Sequence, residues 1–227
     1  MAYLQFCPVA KASELLCEKW TFLIIRELLV GGKRFNDFQR GLASISPTVL
    51  TKRLNELTDN GLIIRKKIQG QRGYEYFLTE QGKELAPIIQ QIGEWGMRWT
   101  RGQIADSELD IELLMLYLER SINPEKLPGS DTTICFNFSD QLQLSKWWIM
   151  VSEAGIDVCT VDPGKEVDIW FNTDLRTMVE IWMGDMSYKT AVREKKLQLI
   201  GPTALISNVT SWMENSVFSD IPPASEI

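Results

Sequence analysis

Between Ser46 and Leu78 the apolar pattern changes its period once, and that change restricts the fold more than any other feature of the chain. Leu50, Leu54 and Leu57 recur with the spacing of one buried helical face. Ser46 ahead of Pro47 supplies an N-cap and a first helical residue that needs no amide hydrogen, and Asn60-Gly61 closes the helix. Beyond Gly61 the segments Leu62–Ile68 and Tyr74–Leu78 read as extended. They flank the polar stretch Gln69–Gly73, so this region is predicted to be a β-hairpin with a basic tip. Upstream, Trp20, Leu23, Ile24 and Leu28 share a helical face that Gly31-Gly32 ends. Phe35, Phe38 and Leu42 mark a second short helix, with Gly41 and the polar residues to Ser44 leading into the next turn. Three helices followed by a basic hairpin define a winged helix-turn-helix, in which the third helix enters the major groove and the wing meets the backbone or minor groove.

With the leucines facing inward, Thr48, Lys52 and Asn55 point away from the core, Thr51 lies beside them and Arg53 sits at the margin. Small hydroxyls near a helix N-terminus, with an amide and a cation one turn on, suit base edges and phosphates. The expected contacts to double-stranded DNA are Arg34, Ser46, Thr48, Thr51, Lys52, Arg53 and Asn55, joined by Arg65, Lys67 and Arg72 of the hairpin. From Lys33 to Arg72 there are nine basic residues against three acidic ones. The net charge of −6 conceals this: Met1–Gly102 carries 15 Lys/Arg against 10 Asp/Glu, and the remaining residues carry 9 against 20. A basic half joined to an acidic one fits a DNA-binding domain followed by a domain with another task. A winged helix can also serve as a protein-binding module.

Histidine is absent, which removes Ser-His-Asp and Cys-His catalysis and His-ligated zinc. Cys7, Cys17, Cys135 and Cys159 form no CxxC pair. No apolar run approaches the roughly 20 residues of a membrane span, and the N-terminus has no signal-peptide pattern. The chain is expected to be cytoplasmic, without membrane contact, metal, cofactor or catalysis. Asp157, Asp162, Asp168 and Asp174 could suggest an enzyme, but aspartates at strand ends and turns are expected as caps and turn formers.

Thr79 can cap a helix in which Leu85, Ile88, Ile92, Trp95 and Trp99 share a face, kinked by Pro87. The apolar pattern then lapses and restarts at Leu113. The predicted organisation is a winged-helix domain over 1–102, a linker over 103–109 and a second domain over 110–227. In that second domain Ile134, Phe136 and Phe138 alternate, as do Ile156 and Val158, and Val167, Ile169 and Phe171, around the strand Trp147–Val151. Thr173 is expected to cap a helix that Gly184 ends, Leu197–Ile200 to be a last strand, and Pro202–Met213 a final helix.

Cys7-Pro8-Val9, Lys19-Trp20-Thr21, Arg26-Glu27-Leu28, Arg34-Phe35, Ile45-Ser46-Pro47, Leu50-Thr51-Lys52-Arg53-Leu54, Gly61-Leu62, Tyr74-Glu75-Tyr76, Leu78-Thr79 and Trp95-Gly96 together resemble the HxlR-type winged-helix regulators over residues 7–99. The resemblance implies a homodimeric transcription regulator, dimerised through its N-terminal segment and the Leu85–Trp99 helix. Those regulators are usually one short domain, so the second half is a departure. Asp140, Trp147-Trp148, Asp162-Pro163-Gly164, Thr173-Asp174-Leu175, Trp182-Met183-Gly184-Asp185 and Leu199-Ile200-Gly201-Pro202 resemble a sterol-carrier-protein-like α/β domain. That resemblance implies a tunnel for a small apolar ligand, with Trp148, Trp170, Met178 and Trp182 as its candidate walls, residues equally suited to a plain core. The fold class expected is α+β: a winged helix followed by a sterol-carrier-like domain. The leading function is ligand-responsive transcription regulation. Alternatives are a hydrophobic-molecule carrier whose winged helix binds protein, and a redox-responsive regulator sensing through Cys7, which could instead be a small buried residue at a dimer surface.

Overall fold

The computed structural model describes residues 3–129 and 131–224. The chain divides into two compact units, Met1–Trp95 and Gly96–Ile227.

The first unit contains α1 (Pro8–Leu16), α2 (Thr21–Leu29), α3 (Phe35–Gly41), α4 (Pro47–Asp59), β1 (Ile63–Lys67), β2 (Tyr74–Leu78) and α5 (Glu80–Lys83), and α6 (Ala86–Trp99) leads out of it. Ile24, Ile25, Phe38, Leu50, Leu54, Leu62 and Ile63 are almost wholly buried together and form its core. Ser46 caps α4 as its sequence predicts, its hydroxyl accepting from the Val49 amide at 3.3 Å. Gly61, at φ +73°, takes the left-handed conformation that turns the chain from α4 into the hairpin. Strands β1 and β2 pair antiparallel with Arg65 opposite Tyr76 and Lys67 opposite Tyr74. Residue Arg34 bridges to Glu75, and the Tyr76 amide donates to the Lys33 carbonyl at 2.8 Å, so the segment before α3 adds a third short edge to the wing.

Three local expectations are corrected in this unit. Helix α1 has no counterpart in the predicted pattern. Gly41 is the last residue of α3 and buried, rather than part of a polar turn. The helix after Thr79 is two helices, not one kinked helix. Pro87 has no amide hydrogen for the Lys83 carbonyl and its ring crowds that oxygen, so α5 stops at Lys83 and α6 starts afresh with Pro87 in its first turn.

The second unit is an α/β layer. Its elements are α7 (Ile111–Ser121), β3 (Thr132–Phe138), β4 (Lys146–Ser152), β5 (Gly155–Cys159), β6 (Ile169–Thr173), α8 (Leu175–Met183), α9 (Tyr188–Arg193), β7 (Gln198–Ile200), α10 (Thr203–Ser207) and α11 (Val209–Trp212). The sheet order is β5-β4-β3-β6-β7, with β3 and β6 parallel and the other pairs antiparallel. Ile134, Phe136, Trp147, Ile149, Ile169 and Phe171 project from one face onto Leu118, Met178, Ile181, Trp212 and their neighbours. Phe136 stacks on Phe171 at 4.6 Å, and Phe171 meets Trp212 edge-on at 6.1 Å.

Residues 101–110, where the apolar pattern lapses, are fastened within this unit. Arg101 is 10% exposed, pairs with Asp185 at 2.7 Å and donates to the carbonyls of Met183 and Ile221 at 3.1 and 3.0 Å. Arg176 holds Asp106. The cap of α8 is Asp174 rather than Thr173, because its carboxylate accepts from both the amide and the hydroxyl of Thr177, at 2.8 and 2.7 Å. Thr173 ends β6 and bonds the Lys196 carbonyl instead. The predicted final helix is split at Asn208, where Asn208 and Ser207 return their side chains to the carbonyls of Ala204 and Thr203 in competition with the helical ladder.

Among the described residues no helix is long and apolar enough to cross a membrane, and no cluster of metal-binding side chains occurs.

Candidate nucleic-acid interface

Helix α4 turns its leucines into the core and leaves Thr48, Thr51, Lys52 and Asn55 exposed on a shallow open groove, which Pro47 and Glu56 complete. Thr51 returns its hydroxyl to the Pro47 carbonyl at 2.8 Å. Asn55 lies beside the wing, its carbonyl oxygen accepting from Arg65 at 3.4 Å. Arg65, Lys67 and Arg72 are exposed. Residues 65 and 67 alternate with Lys66 along β1 and so share one face of the hairpin, and the Arg65 guanidinium lies 5.1 Å from the centre of the Tyr74 ring. On the opposite face Lys66 and Lys33 lie 5.1 and 5.8 Å from the centre of the Phe77 ring. The helix and the wing therefore offer a continuous polar and cationic edge, with Ser46 at the start of α4.

Two predicted contacts are otherwise engaged. Arg34 faces Glu75 at 3.5 Å but remains half exposed. Arg53 is only 14% exposed and points into the protein, one guanidinium nitrogen on Glu56 at 2.5 Å and another on Glu18 at 2.7 Å. No sequence signal reveals the Glu18 partner, 35 residues away.

The four apolar-ligand candidates do not converge. Met178 is fully buried on the helix-covered face of the sheet, and Trp182 stacks on Tyr117 at 4.6 Å with its indole nitrogen on the Ser121 hydroxyl at 2.9 Å. Trp148 and Trp170 are cross-strand neighbours of Cys135 and project to the other face. There Lys146 lies 5.6 Å from the centre of the Trp170 ring, and Asn137 donates to Asn172 at 2.9 Å. Burial pushes the Cys135 thiol up to about 11. Cys7 is half-buried at the N-cap of α1. Three of the four aspartates serve local structure: Asp162 accepts from Gly164, Asp168 from Thr133 and Asp174 from Thr177.

A capped helix presented beside a basic two-stranded wing defines the class of winged-helix DNA-binding proteins. The HxlR-like helix-turn-helix family model matches residues 15–104. The Bacillus subtilis HTH-type transcriptional regulator YvaP is 38% identical over 97 residues, 42% of this chain and 90% of its own. YybR of the same organism is 38% identical over 91 residues, 40% of this chain and 73% of its own. Among solved structures, the redox regulator HypR in its oxidised form is 38% identical, covering 40% of this chain and 94% of that one with a TM-score of 0.38. The chain belongs to the HxlR-like helix-turn-helix family, with its family segment in the N-terminal part.

Proposed function

We propose that this protein is a homodimeric transcription regulator in which α4 reads base edges, the wing holds the DNA backbone and the C-terminal half senses a small apolar molecule. The observation that carries DNA binding is the exposed edge of Thr48, Thr51, Lys52 and Asn55 set against Arg65 of the wing. Asn55 has the amide that pairs bidentately with adenine, and Lys67 and Arg72 supply phosphate contacts. The test is fluorescence anisotropy on a duplex that the wild-type chain selects from a randomised pool, with the unselected pool as reference. Asn55→Ala lowers the preference for the selected duplex by about 5- to 150-fold, whereas Arg72→Ala weakens both duplexes alike. Equal losses on both duplexes for Asn55→Ala remove it from base readout.

Self-association is supported by Ile88, Ile92 and Trp95, which lie along one side of α6 with exposures of 46, 46 and 60%. Leu4, Phe6 and Val9 of the N-terminal segment are still more exposed, at 90, 100 and 72%. Apolar stripes of this extent mark interaction surfaces in soluble proteins. A solution mass near the chain's 26.0 kDa would contradict a dimer.

The sensing role rests on the sterol-carrier-like resemblance and on Trp148 and Trp170, on the sheet face away from the helices. Organic extraction of the purified full chain, followed by mass spectrometry, is expected to release an apolar compound. Addition of that compound is expected to change DNA affinity. A chain that releases nothing, and whose DNA affinity no apolar extract alters, contradicts sensing.

A further inference from the structure

We infer that Arg53 is a positioning residue for DNA recognition, fixing the pose of α4 against the turn between α1 and α2 through Glu18 instead of touching DNA; this rests on the DNA-reading role of α4 proposed above. Arg53 stands on the recognition helix between Lys52 and Leu54, where the wheel leaves it at the edge of the buried face. Its guanidinium is turned away from the groove lined by Thr48, Thr51 and Asn55 and lies in a cleft with Lys11, Leu15 and Glu18. One terminal nitrogen meets Glu56 of its own helix at 2.5 Å, and the other meets Glu18, in the turn joining α1 to α2, at 2.7 Å. That turn is tightly shaped: the Thr21 amide bonds the Glu18 carbonyl at 3.1 Å and Trp20 sits at φ +81°. A planar fork that bridges two carboxylates fixes direction as well as distance, which an ammonium on a flexible stem does not. The bridge therefore sets the rotation of α4 about its axis, on which the aim of Asn55 and Thr51 depends.

The alternative role, a phosphate contact, gives different numbers. A phosphate contact survives replacement by lysine, and its loss reduces the salt slope of binding by about 0.9 per bound protomer. A positioning bridge fails with lysine and leaves the slope unchanged. The experiment measures affinity for the selected duplex and for the unselected pool across a salt series, using full-length wild type, Arg53→Lys, Arg53→Ala, Glu18→Gln and the Glu18→Gln/Arg53→Ala double variant. Each single variant is expected to lower the preference for the selected duplex roughly tenfold, the size of one misaligned base contact. The double variant is expected to lose no more than Arg53→Ala, because both changes break the same bridge. General destabilisation removes active protein from both titrations equally and leaves the preference unmoved. Unchanged preference in Arg53→Lys and Glu18→Gln, additive losses in the double variant, or a slope reduced by about 0.9 per bound protomer in Arg53→Ala overturns the inference. A wild-type chain that selects no duplex overturns the DNA-reading role itself, a result distinguishable from all of these.

Discussion

Adding one methyl group at Gly41 tests how the first unit is packed. A Cβ there would stand 2.3 Å from both the carboxyl carbon and Oε2 of Glu27, and 2.7 Å from Oε1. That carboxylate cannot swing aside, because Glu27 is fully buried and its Oε1 receives two bonds from Arg26, at 2.7 and 3.1 Å. The same guanidinium also donates to the Gly41 carbonyl at 3.2 Å, so the crowded residue and the ion pair are one assembly. Gly41→Ala must either break the buried pair, at a cost of about 3–5 kcal/mol, or push α3 outward, at about 1–3 kcal/mol. The cheaper response sets the loss, so about 1–3 kcal/mol is expected. Hydrogen exchange read by mass spectrometry reports it locally: amides of α2, α3 and α4 should lose protection about 5- to 150-fold, and those of β3, β4 and β6 should not change. In a Glu27→Ala background the methyl group has room, so the second substitution should add almost nothing. Protection in α2 and α3 within twofold of wild type after Gly41→Ala would refute the argument.

Arg101→Ala removes the partner of Asp185 and the donor to two carbonyls, and is expected to cost the second unit about 1–3 kcal/mol, read as a lower urea midpoint for α8 amides with α2–α4 unaffected. Ile92→Glu places a charge on the exposed stripe of α6 and should leave a monomer in light scattering without loss of helical circular dichroism. Alkylation of the native chain at about pH 8 should label exposed Cys17 first and spare Cys135, which is buried and held as the thiol; equal rates at the two sites would contradict that burial.

The winged helix was legible because its signals are local. The Ser46 cap, the leucine repeat of α4 and the switch of period at Gly61 each lie within one or two turns of chain, and each stands where it was expected. What was hidden depends on partners distant in sequence. Arg53 reads as one more exposed cation until Glu18 is brought beside it, and Gly41 reads as a turn until Glu27 fills the space above it. In the second unit the strands were visible as alternation, but alternation does not give their order. The β5-β4-β3-β6-β7 arrangement puts Trp148 and Trp170 on one face, while Met178 and Trp182 belong to helix α8, with Met178 buried against the opposite face. A set of aromatic and apolar side chains chosen from sequence is thereby divided by the sheet itself.

The central claim, that α4 and the wing form a DNA-binding edge, is tested most directly by the salt dependence of binding to the selected duplex. Arg34, Lys52, Arg65, Lys67 and Arg72 are exposed cations of α4, of the wing and of the segment that bridges to it. If about three to five of them each displace a phosphate counterion, log K falls against log salt with a slope of roughly −2.7 to −4.5 per DNA-binding unit. The wild type is expected to show that slope, and Arg72→Ala a value shallower by about 0.9 per DNA-binding unit. A flat titration from low to physiological salt, or no binding at low salt, would contradict it.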